Sequence, residues 1–283
     1  MKIAHIILCH KNPKQVERLL YALAHPAFDF YLHIDKKVDF RQFEYLSEKE
    51  NATFIKQRAK IYWAGYGTIQ ATLNAIEEIL PKKYDYINVI SGQDFPIQPA
   101  EDLYKFIVEN SGTEFMTCES IKDEWKDAAV RVKNYHLVNW RIPGKYRIEK
   151  IANKVLPARK FPLNFEIVGR SNWFTITGAA ASYLINFIKS NPKFVSYFKY
   201  CWGADEFIFA TALYNSKYKN KIRDDLVYVD WTGQNDGHPR VLVTKDYDKL
   251  ASSTKFFARK FDADTDLKII DLLEQKLARF KSD

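Results

Sequence analysis

The sequence predicts an α/β fold with a mostly parallel, doubly wound sheet flanked by helices. Residues 3–8 form an apolar run in which only His5 is polar, as in a strand buried on both faces. Strand-like runs then alternate with helix-like periodicity through residue 118, and repeated strand–helix units build parallel sheets. At 283 residues with 47% hydrophobic content, the chain can bury a core of this size. Ligands of such folds bind beyond the carboxyl ends of the strands.

The elements of the first half follow from local patterns. After the strand at 3–8, Asn12-Pro13 opens a helix with Val16, Leu19 and Leu23 on one face. A second strand at 30–34 ends at Asp35, and the turn at 91–94 ends a fourth. The other predicted elements of this half are strands at 53–55, 84–90 and 114–118 and helices at 68–80 and 100–109.

The alternation fails between residues 119 and 169, where Lys, Arg, Trp and Tyr dominate and three prolines interrupt the chain. We interpret this segment as an insert of short helices and loops over the sheet. Such side chains suit RNA or the wall of a sugar-acceptor site, but no stacking motif supports RNA, and we expect no nucleic-acid partner. A strand at 173–177 and helices at 179–188, 205–213 and 264–280 complete the predicted elements.

No repeat or linker divides the chain, so we predict a single domain over residues 1–283. Its nucleotide-binding half would be 1–118, and its acceptor and catalytic half 119–283. The net charge of +8 favours anionic partners only mildly, since a basic solvated surface explains it equally well. No apolar stretch approaches about 20 residues, and three distant cysteines indicate neither a disulfide framework nor a zinc site. We expect a cytoplasmic location, with the inner face of the membrane as the alternative.

Asp205 and Glu206 stand between Trp202-Gly203 and an apolar run at 207–210. Two carboxylates in the first turn of a helix are typical of capping and of attraction to the positive helix end. The alternative is chemical: one of them stays ionised beside that dipole and deprotonates an attacking hydroxyl. The residues alone leave both interpretations open.

Arg240 and Lys260 are candidates for holding a diphosphate. Transfer from a nucleoside diphosphate sugar builds charge on the leaving group, which a metal ion on an Asp-x-Asp pair or positioned Arg and Lys side chains can stabilise. After the fourth strand, where metal-using transferases of this architecture carry that pair, Asp94 is the only carboxylate of the turn. Asp262 and Asp264 form an Asp-x-Asp pair, but capping of the last helix explains it. We therefore expect no metal or other cofactor.

His33 and Asp35 share a strand face because side chains two residues apart point the same way. With His10 they form a conceivable metal site, although such residues at a strand end more often make hydrogen bonds. Asp35 could instead accept a hydrogen bond from a nucleotide base or ribose, as residues at this position do in nucleotide-binding α/β folds.

Eight segments of the chain form recognisable motifs. They are ILCHK (7–11), LHID (32–35), WAGYGTIQA (63–71), SGQDFPI (91–97), SNWF (171–174), DEF (205–207), HPR (238–240) and FARKFD (257–262). Each segment alone is weak, but together and in this order they resemble the core-2/I-branching β-1,6-N-acetylglucosaminyltransferases and the related peptide O-xylosyltransferases. The resemblance covers nearly the whole chain.

The resemblance implies a GT-A-like nucleotide-sugar transferase fold and an inverting, metal-independent transfer. Glu206 falls on the catalytic base of the family, and Arg240 and Lys260 fall on its diphosphate-binding pair. Asp35 and the main chain near Ile7 fall on the uridine site. The expected donor is a UDP-sugar, with GlcNAc or xylose as the leading candidates.

The resemblance assigns Trp231 and Glu119 to the acceptor side, and Asp205 beside the base is assigned to substrate binding with them. The expected acceptor is a glycan or lipid-linked glycan, with peripheral contact to a membrane. Because the anchor, stem and many cysteines of the animal enzymes are missing, we expect a bacterial-type member. A metal-dependent transferase of the same fold stays open, as does a non-catalytic glycan- or nucleic-acid-binding protein.

Overall fold

The computed structural model describes residues 1–234 and 237–279, which form twelve strands and ten α-helices. The strands are β1 (Ile3–Cys9), β2 (Phe28–Ile34), β3 (Ala52–Phe54), β4 (Tyr86–Ser91), β5 (Phe95–Pro96), β6 (Glu114–Phe115), β7 (Cys118–Ser120), β8 (Val168–Arg170), β9 (Phe174–Thr177), β10 (Ile222–Arg223), β11 (Val227–Val229) and β12 (Phe257–Arg259). The helices are α1 (Pro13–Ala22), α2 (Gly67–Ile79), α3 (Ala100–Glu109), α4 (Ala129–Lys133), α5 (Lys145–Val155), α6 (Gly178–Ser190), α7 (Pro192–Phe198), α8 (Ile208–Tyr214), α9 (Tyr247–Ala251) and α10 (Lys268–Arg279).

Seven strands form one mixed sheet in the order β10-β6-β9-β4-β1-β2-β3. Strand β1 lies between β2 and β4 and is parallel to both, and β3 is parallel to β2. Only β9, among the described strands of this sheet, runs antiparallel to its neighbours β4 and β6. The predicted α/β fold with a mostly parallel sheet is therefore confirmed.

The centre of the sheet explains its apolar sequence. All seven residues of β1 are buried, because neighbouring strands flank it and side chains cover both of its faces. Helices α2 and α6 pack on each other; α2 also contacts β1 and β2, and α6 contacts β4 and β9. Helix α1 is joined to α10 through Arg18, whose guanidinium binds Asp271 and Glu274.

The predicted strand at 114–118 is wrong in extent, because the chain changes sheets within it. Strand β6 pairs with β9 and β10, whereas β7 pairs antiparallel with β8 in a separate two-stranded sheet. The main-chain N–H of Met116 still donates to Arg223, and the chain then leaves the large sheet. This switch carries residues 118–120 toward the insert.

Two predicted helix boundaries are also wrong. Residues Ala204–Glu206 form a 3₁₀ turn, and the helix predicted at 205 begins at Ile208. The last helix begins at Lys268 rather than at 264, where the Asp266 carboxylate accepts the main-chain N–H of Ile269; the Asp262 carboxylate accepts from Lys11 and Asn12. Its predicted end at Phe280 lies outside the described residues.

The predicted short helical pieces of the insert are confirmed as α4 and α5, joined by loops. Buried apolar residues from Ile3 to Leu277 form one continuous core beneath it. The division into a nucleotide-binding half and an acceptor half stays a prediction. In the described ranges, no helix combines the length and apolarity needed to cross a bilayer.

Candidate functional site

A cleft of about 690 Å³ opens where the central parallel strands end. His10 follows β1, Asp35 follows β2, and Gln93 follows β4, and all three line the cleft. The carboxyl ends of parallel strands are where ligands bind in this class of fold. The cleft therefore lies where the sequence predicts a ligand site.

Most of the residues singled out from the sequence meet in this cleft. The six that line it are Asp35, Glu119, Asp205, Glu206, Trp231 and Lys260. Ile7 and Arg240 are not among the lining residues.

Ile7 itself lies just outside the cleft lining, and the role of the main chain near it stays a prediction. Ile7 is fully buried inside β1, in register with Leu32 of β2 and Ile90 of β4. A residue in the centre of a parallel sheet has neighbouring strands on both sides, so little of it can reach a ligand. The cleft begins one residue later, at Leu8.

Arg240 is engaged by two carboxylates. Its terminal nitrogens donate to Asp246 at 2.9 and 2.8 Å and to Asp230 at 2.7 Å. Hydrogen bonds from Arg240 hold the pKa of Asp230 well below its usual range. A guanidinium already paired in this way offers a diphosphate less attraction than an unpaired one. Pro239, the residue before it, does line the cleft.

The carboxylate pair is held by a tight turn. Gly203 has φ of 62°, a left-handed conformation that favours glycine, and starts the 3₁₀ turn that contains Asp205 and Glu206. A side chain at Gly169 of β8 would come within 2.2 Å of the Glu206 carbonyl oxygen. The close approach of β8 therefore fixes the main chain beneath the Glu206 carboxylate.

Arg131 of α4 is the direct partner of Glu206. Its Nη1 donates to Glu206 Oε2 at 2.6 Å, and its guanidinium lies 4.1 Å from the centre of the Trp202 ring and 5.1 Å from that of Trp125. Sequence reasoning missed Arg131, because it lies in the irregular insert, 75 residues from its partner. No local pattern marks such a contact.

Burial raises the pKa of both carboxyl groups, and the nearby positive charges oppose that rise. Burial, followed by the negative charge of Glu206, raises the pKa of Asp205 to about 7. Burial also raises the pKa of Glu206, and the positive charge of Arg131 opposes that rise. A carboxylate of raised pKa that stays ionised is suited to accept a proton. Glu206 therefore has the environment of a general base.

Two adjacent cationic residues line the cleft: Arg259, the last residue of β12, and Lys260, which follows it. Arg259 donates from Nε to Asp94 at 2.8 Å and lies 4.3 Å from the centre of the Trp173 ring. Its charge lowers the pKa of Asp205 and of Glu206, against the larger effect of burial. The positive charge of Arg259 therefore reaches the carboxylate pair, although sequence reasoning chose only its neighbour Lys260.

Lys260 acts nearer to the end of β1. Burial, and then the positive charges of Lys11, Lys37 and Lys260, lower the pKa of His10. The next residue, Phe261, donates its main-chain N–H to the carbonyl of Gln93, which joins this segment to the loop after β4. Lys260 thus places a cation beside the strand ends where Asp35 also lies.

Asp35 is fixed with one edge toward the cleft. Its Oδ1 accepts from the main-chain N–H groups of Lys37 at 2.9 Å and Ile61 at 3.2 Å. The Lys37 ammonium lies 3.4 Å from Oδ2. Only about 3% of the side chain is exposed, so a ligand that reaches it must also be buried there.

His33, two residues before Asp35, is not among the residues that line the cleft. It is fully buried, and its Nε2 accepts the main-chain N–H of Ala59 at 2.9 Å. Burial lowers its pKa to about 4, so the ring is neutral at physiological pH. Within residues 1–234 and 237–279, no three His, Cys, Asp or Glu side chains group as metal ligands would.

The two residues predicted for the acceptor lie in different parts of the cleft lining. Glu119 is on β7, and its carboxylate lies 3.5 Å from the guanidinium of Arg170 on β8. Trp231 follows β11 and is 44% exposed. An exposed indole and an acid beside an arginine can both contact sugar hydroxyls and rings.

Residues 3–251 match the model of a family described as Core-2/I-Branching enzyme. The chain is 26% identical to xylosyltransferase sqv-6 of Caenorhabditis briggsae, covering 94% of this chain and 35% of that protein. It is 24% identical to xylosyltransferase 2 of Homo sapiens, covering 97% of this chain and 33% of that protein. The chain thus spans about a third of the length of these curated relatives. The solved structure of S. aureus TarS 1-349 superposes with a TM-score of 0.41 at 14% identity, covering 78% of this chain and 57% of that one.

Proposed function

Because the chain belongs to the Core-2/I-Branching enzyme family, we propose that it is an inverting, metal-independent glycosyltransferase. The donor is a UDP-sugar, with xylose or GlcNAc as the transferred sugar, and the acceptor is a hydroxyl of a glycan or lipid-linked glycan. Xylose is supported by the names of the related xylosyltransferases. The observation that carries the proposal is the cleft itself, where the pair Asp205-Glu206 and the cations Arg259 and Lys260 line one cavity.

In the proposed step, Glu206 takes the proton of the acceptor hydroxyl while the oxygen of that hydroxyl attacks the anomeric carbon of the donor. The bond from that carbon to the diphosphate oxygen breaks, and its electron pair leaves with UDP. Attack from the side opposite to the leaving group inverts the anomeric configuration. The ion pair with Arg131, at 2.6 Å, keeps Glu206 ionised before the proton arrives.

The leaving UDP gains negative charge, and cations aimed at it lower the barrier. We assign the larger part to Lys260, which lines the cleft. Arg240 is the second member of the proposed pair, but it must share its guanidinium between the phosphate and Asp230 and Asp246. Arg259 adds positive charge nearer to the carboxylates.

The rest of the substrate meets other side chains of the cleft. Asp35 accepts from the base or ribose of the nucleotide, at the end of β2. Trp231 and Glu119 contact the acceptor, and Asp205 orients its hydroxyl beside Glu206. These roles follow from the lining positions of the residues together with the family resemblance.

A metal-dependent mechanism would need a carboxylate after β4 that faces the diphosphate. Asp94 is fully buried, and its oxygens accept from Ser91 at 2.5 Å and Arg259 at 2.8 Å. The Asp262 carboxylate binds Lys11 and Asn12. Both acids are therefore committed to structural contacts, which favours cations of the protein over a metal ion.

The test is a screen of UDP-sugars by thermal shift and by release of UDP. We expect one UDP-sugar to stabilise the protein and to release UDP slowly without acceptor, equally in EDTA and in manganese. Activity that disappears in EDTA and returns with manganese would replace the cation mechanism with the metal-dependent one. No binding of any nucleotide sugar would favour a non-catalytic glycan-binding protein.

A further inference from the structure

Helix α5 and the loop before it expose an unusual amount of apolar surface. Of fourteen large hydrophobic side chains exposed among the described residues, seven lie between residues 140 and 156. We call residues 140–156 the α5 surface. Its exposed apolar side chains include Trp140, Tyr146, Ile148, Ile151, Val155 and Leu156.

The orientation of α5 is the reverse of an ordinary surface helix, whose apolar stripe faces the core. Glu149 faces the protein body, where its carboxylate accepts the main-chain N–H of Leu137 at 2.8 Å. Asn153, one turn later, exchanges hydrogen bonds with the main chain of Tyr135. Ile151 and Val155 lie on the outer side and are 62% and 69% exposed.

Positive charge flanks this outward apolar stripe. The α5 surface contains five basic residues and a single acid, and that acid, Glu149, is the one turned inward. The five are Arg141, Lys145, Arg147, Lys150 and Lys154. A helix with apolar residues on one side and Lys and Arg beside them is typical of helices that lie in a membrane interface.

We propose that the α5 surface binds an anionic lipid membrane, with α5 lying in the plane of the interface. Ile148, Ile151 and Val155 enter the boundary between head groups and acyl chains, and the flanking lysines and arginines contact lipid phosphates. Trp140 and Tyr146 suit the same depth, because their rings are amphipathic. A second copy of the chain is a poorer occupant, since the same positive charges would face each other.

The α5 surface is connected to the mouth of the cleft. The guanidinium of Arg141 lies 3.6 Å from the centre of the Tyr62 ring, and the ammonium of Lys37 lies 4.6 Å from the centre of that same ring. Lys37 and Trp63 both line the cleft. Membrane binding through α5 therefore brings the cleft mouth close to head groups, where a lipid-linked acceptor would lie. Binding itself does not depend on the proposed catalysis.

The test is co-sedimentation of the full chain with vesicles of phosphatidylcholine, with and without phosphatidylglycerol. We expect binding to the anionic vesicles at least about tenfold tighter than to phosphatidylcholine, since each basic residue near an anionic surface adds to affinity. Raising the ionic strength from about 0.1 M to 1 M should weaken it. Equal binding to both vesicle types, or none to either, would overturn the proposal.

Two double variants assign the binding to this surface. Ile151→Ser with Val155→Ser removes the outward apolar side chains, and Lys150→Ser with Lys154→Ser removes positive charge from the same helix. Each of these two double variants should lower binding to anionic vesicles about tenfold or more. Val108→Ser with Leu267→Ser, at exposed sites elsewhere, should bind as the original chain does.

Far-ultraviolet circular dichroism and thermal unfolding should be unchanged in all three, because the altered side chains are exposed. Wild-type binding by the α5 variants would overturn the proposal. So would a concentration-dependent dimer, seen by analytical ultracentrifugation, that the α5 variants abolish, since the surface would then join two copies of the chain.

Discussion

The cleft has a sheet side, represented by Asp35 and Lys260, and an insert side, represented by Arg131 and Glu206. On the sheet side, Asp35 follows the buried parallel strand β2 and is fixed by main-chain N–H groups. Lys260 follows β12, and the main-chain N–H of the next residue, Phe261, donates to Gln93 after β4. On the insert side, ion pairs and aromatic rings hold them, with the guanidinium of Arg131 between Glu206 and Trp202. The two sides thus depend on different forces.

This difference indicates a division of labour. In the proposed mechanism, main-chain donors and buried strand ends form a rigid binding site for the nucleotide. A pair of charges in a partly buried site instead adjusts the proton affinity of a carboxylate. We therefore expect changes on the insert side to act mainly on turnover and its pH dependence, and changes on the sheet side to act mainly on donor binding.

The largest expected effect is that of Glu206→Gln. It keeps the shape and the hydrogen bond to Arg131 but removes the proton acceptor, so turnover should fall by about 10²–10⁴-fold. Binding of UDP, measured by calorimetry, should barely change. Asp205→Asn is the matched control and should cost turnover less. A larger loss from Asp205→Asn would transfer the role of base to Asp205.

Lys260→Ala should weaken UDP binding by about 10–100-fold, because a charge-assisted contact to phosphate contributes about 1.5–3 kcal/mol. Binding of UMP should weaken less, since the second phosphate is what the lysine holds, and turnover should fall as well. Arg240→Ala should do the same to a smaller extent, because Asp230 and Asp246 already occupy its guanidinium.

Lys189→Ala is the control for general positive charge, since it carries the same charge outside the cleft-lining residues. It should leave both affinities unchanged. Equal losses of UDP and UMP affinity in Lys260→Ala would remove Lys260 from the diphosphate site. Equal effects of Lys189→Ala and Lys260→Ala on UDP affinity would show that Lys260 acts through general surface charge and not through a specific contact with the diphosphate.

Arg131→Gln tests whether the insert side controls the proton affinity of Glu206. Without the positive charge at 2.6 Å, the pKa of Glu206 should rise further, since Arg131 now lowers it. More of the base is then protonated at a given pH, so the acid limb of the turnover profile should move to higher pH and turnover below neutral pH should fall. UDP affinity should hold. Arg147→Gln, an exposed arginine of the same insert, serves as the control, and an equal loss there would exclude a specific role for Arg131.

Asp35→Asn should give the smallest effect, a loss of about 3–10-fold in donor affinity, because one hydrogen bond contributes about 0.5–1.5 kcal/mol net. Turnover at saturating donor should be unchanged. Competition with uridine, measured by thermal shift, would locate the loss at the nucleoside. A fall in turnover with unchanged affinity would contradict the division between the two sides.

The sheet side was predictable from sequence, and the reason is burial. A short run such as 3–8, apolar apart from His5, is typical of a central strand, and Asp35 and the turn at 91–94 follow directly from where strands end. The cleft position then follows from topology alone. The main chain near Ile7, predicted to contact the nucleotide, adjoins the cleft, whose lining begins at Leu8.

The insert side was not predictable in the same way. Arg131 binds Glu206, and Trp125 stacks on Phe207, through contacts between residues that are distant in the sequence, and no periodicity marks them. The residues alone pointed to the pair Asp205-Glu206, only the family resemblance chose Glu206 as the base, and its arginine partner was missed. The Asp262 carboxylate also reaches across the chain to Lys11, where the local pattern predicts helix capping.

The acid limb of the pH dependence of kcat/KM tests the role of Glu206 most directly, because it reports the protonation of the essential base in the free enzyme. As pH falls, the base is protonated and the rate falls. Burial raises the pKa of Glu206, so this limb should lie above the usual range of an exposed glutamate. In Glu206→Gln the residual rate should lose the limb, or show it at lower pH, since the charge that raises the pKa of Asp205 is gone. A residual rate that keeps the wild-type limb at the same pH would contradict the assignment of Glu206 as the base.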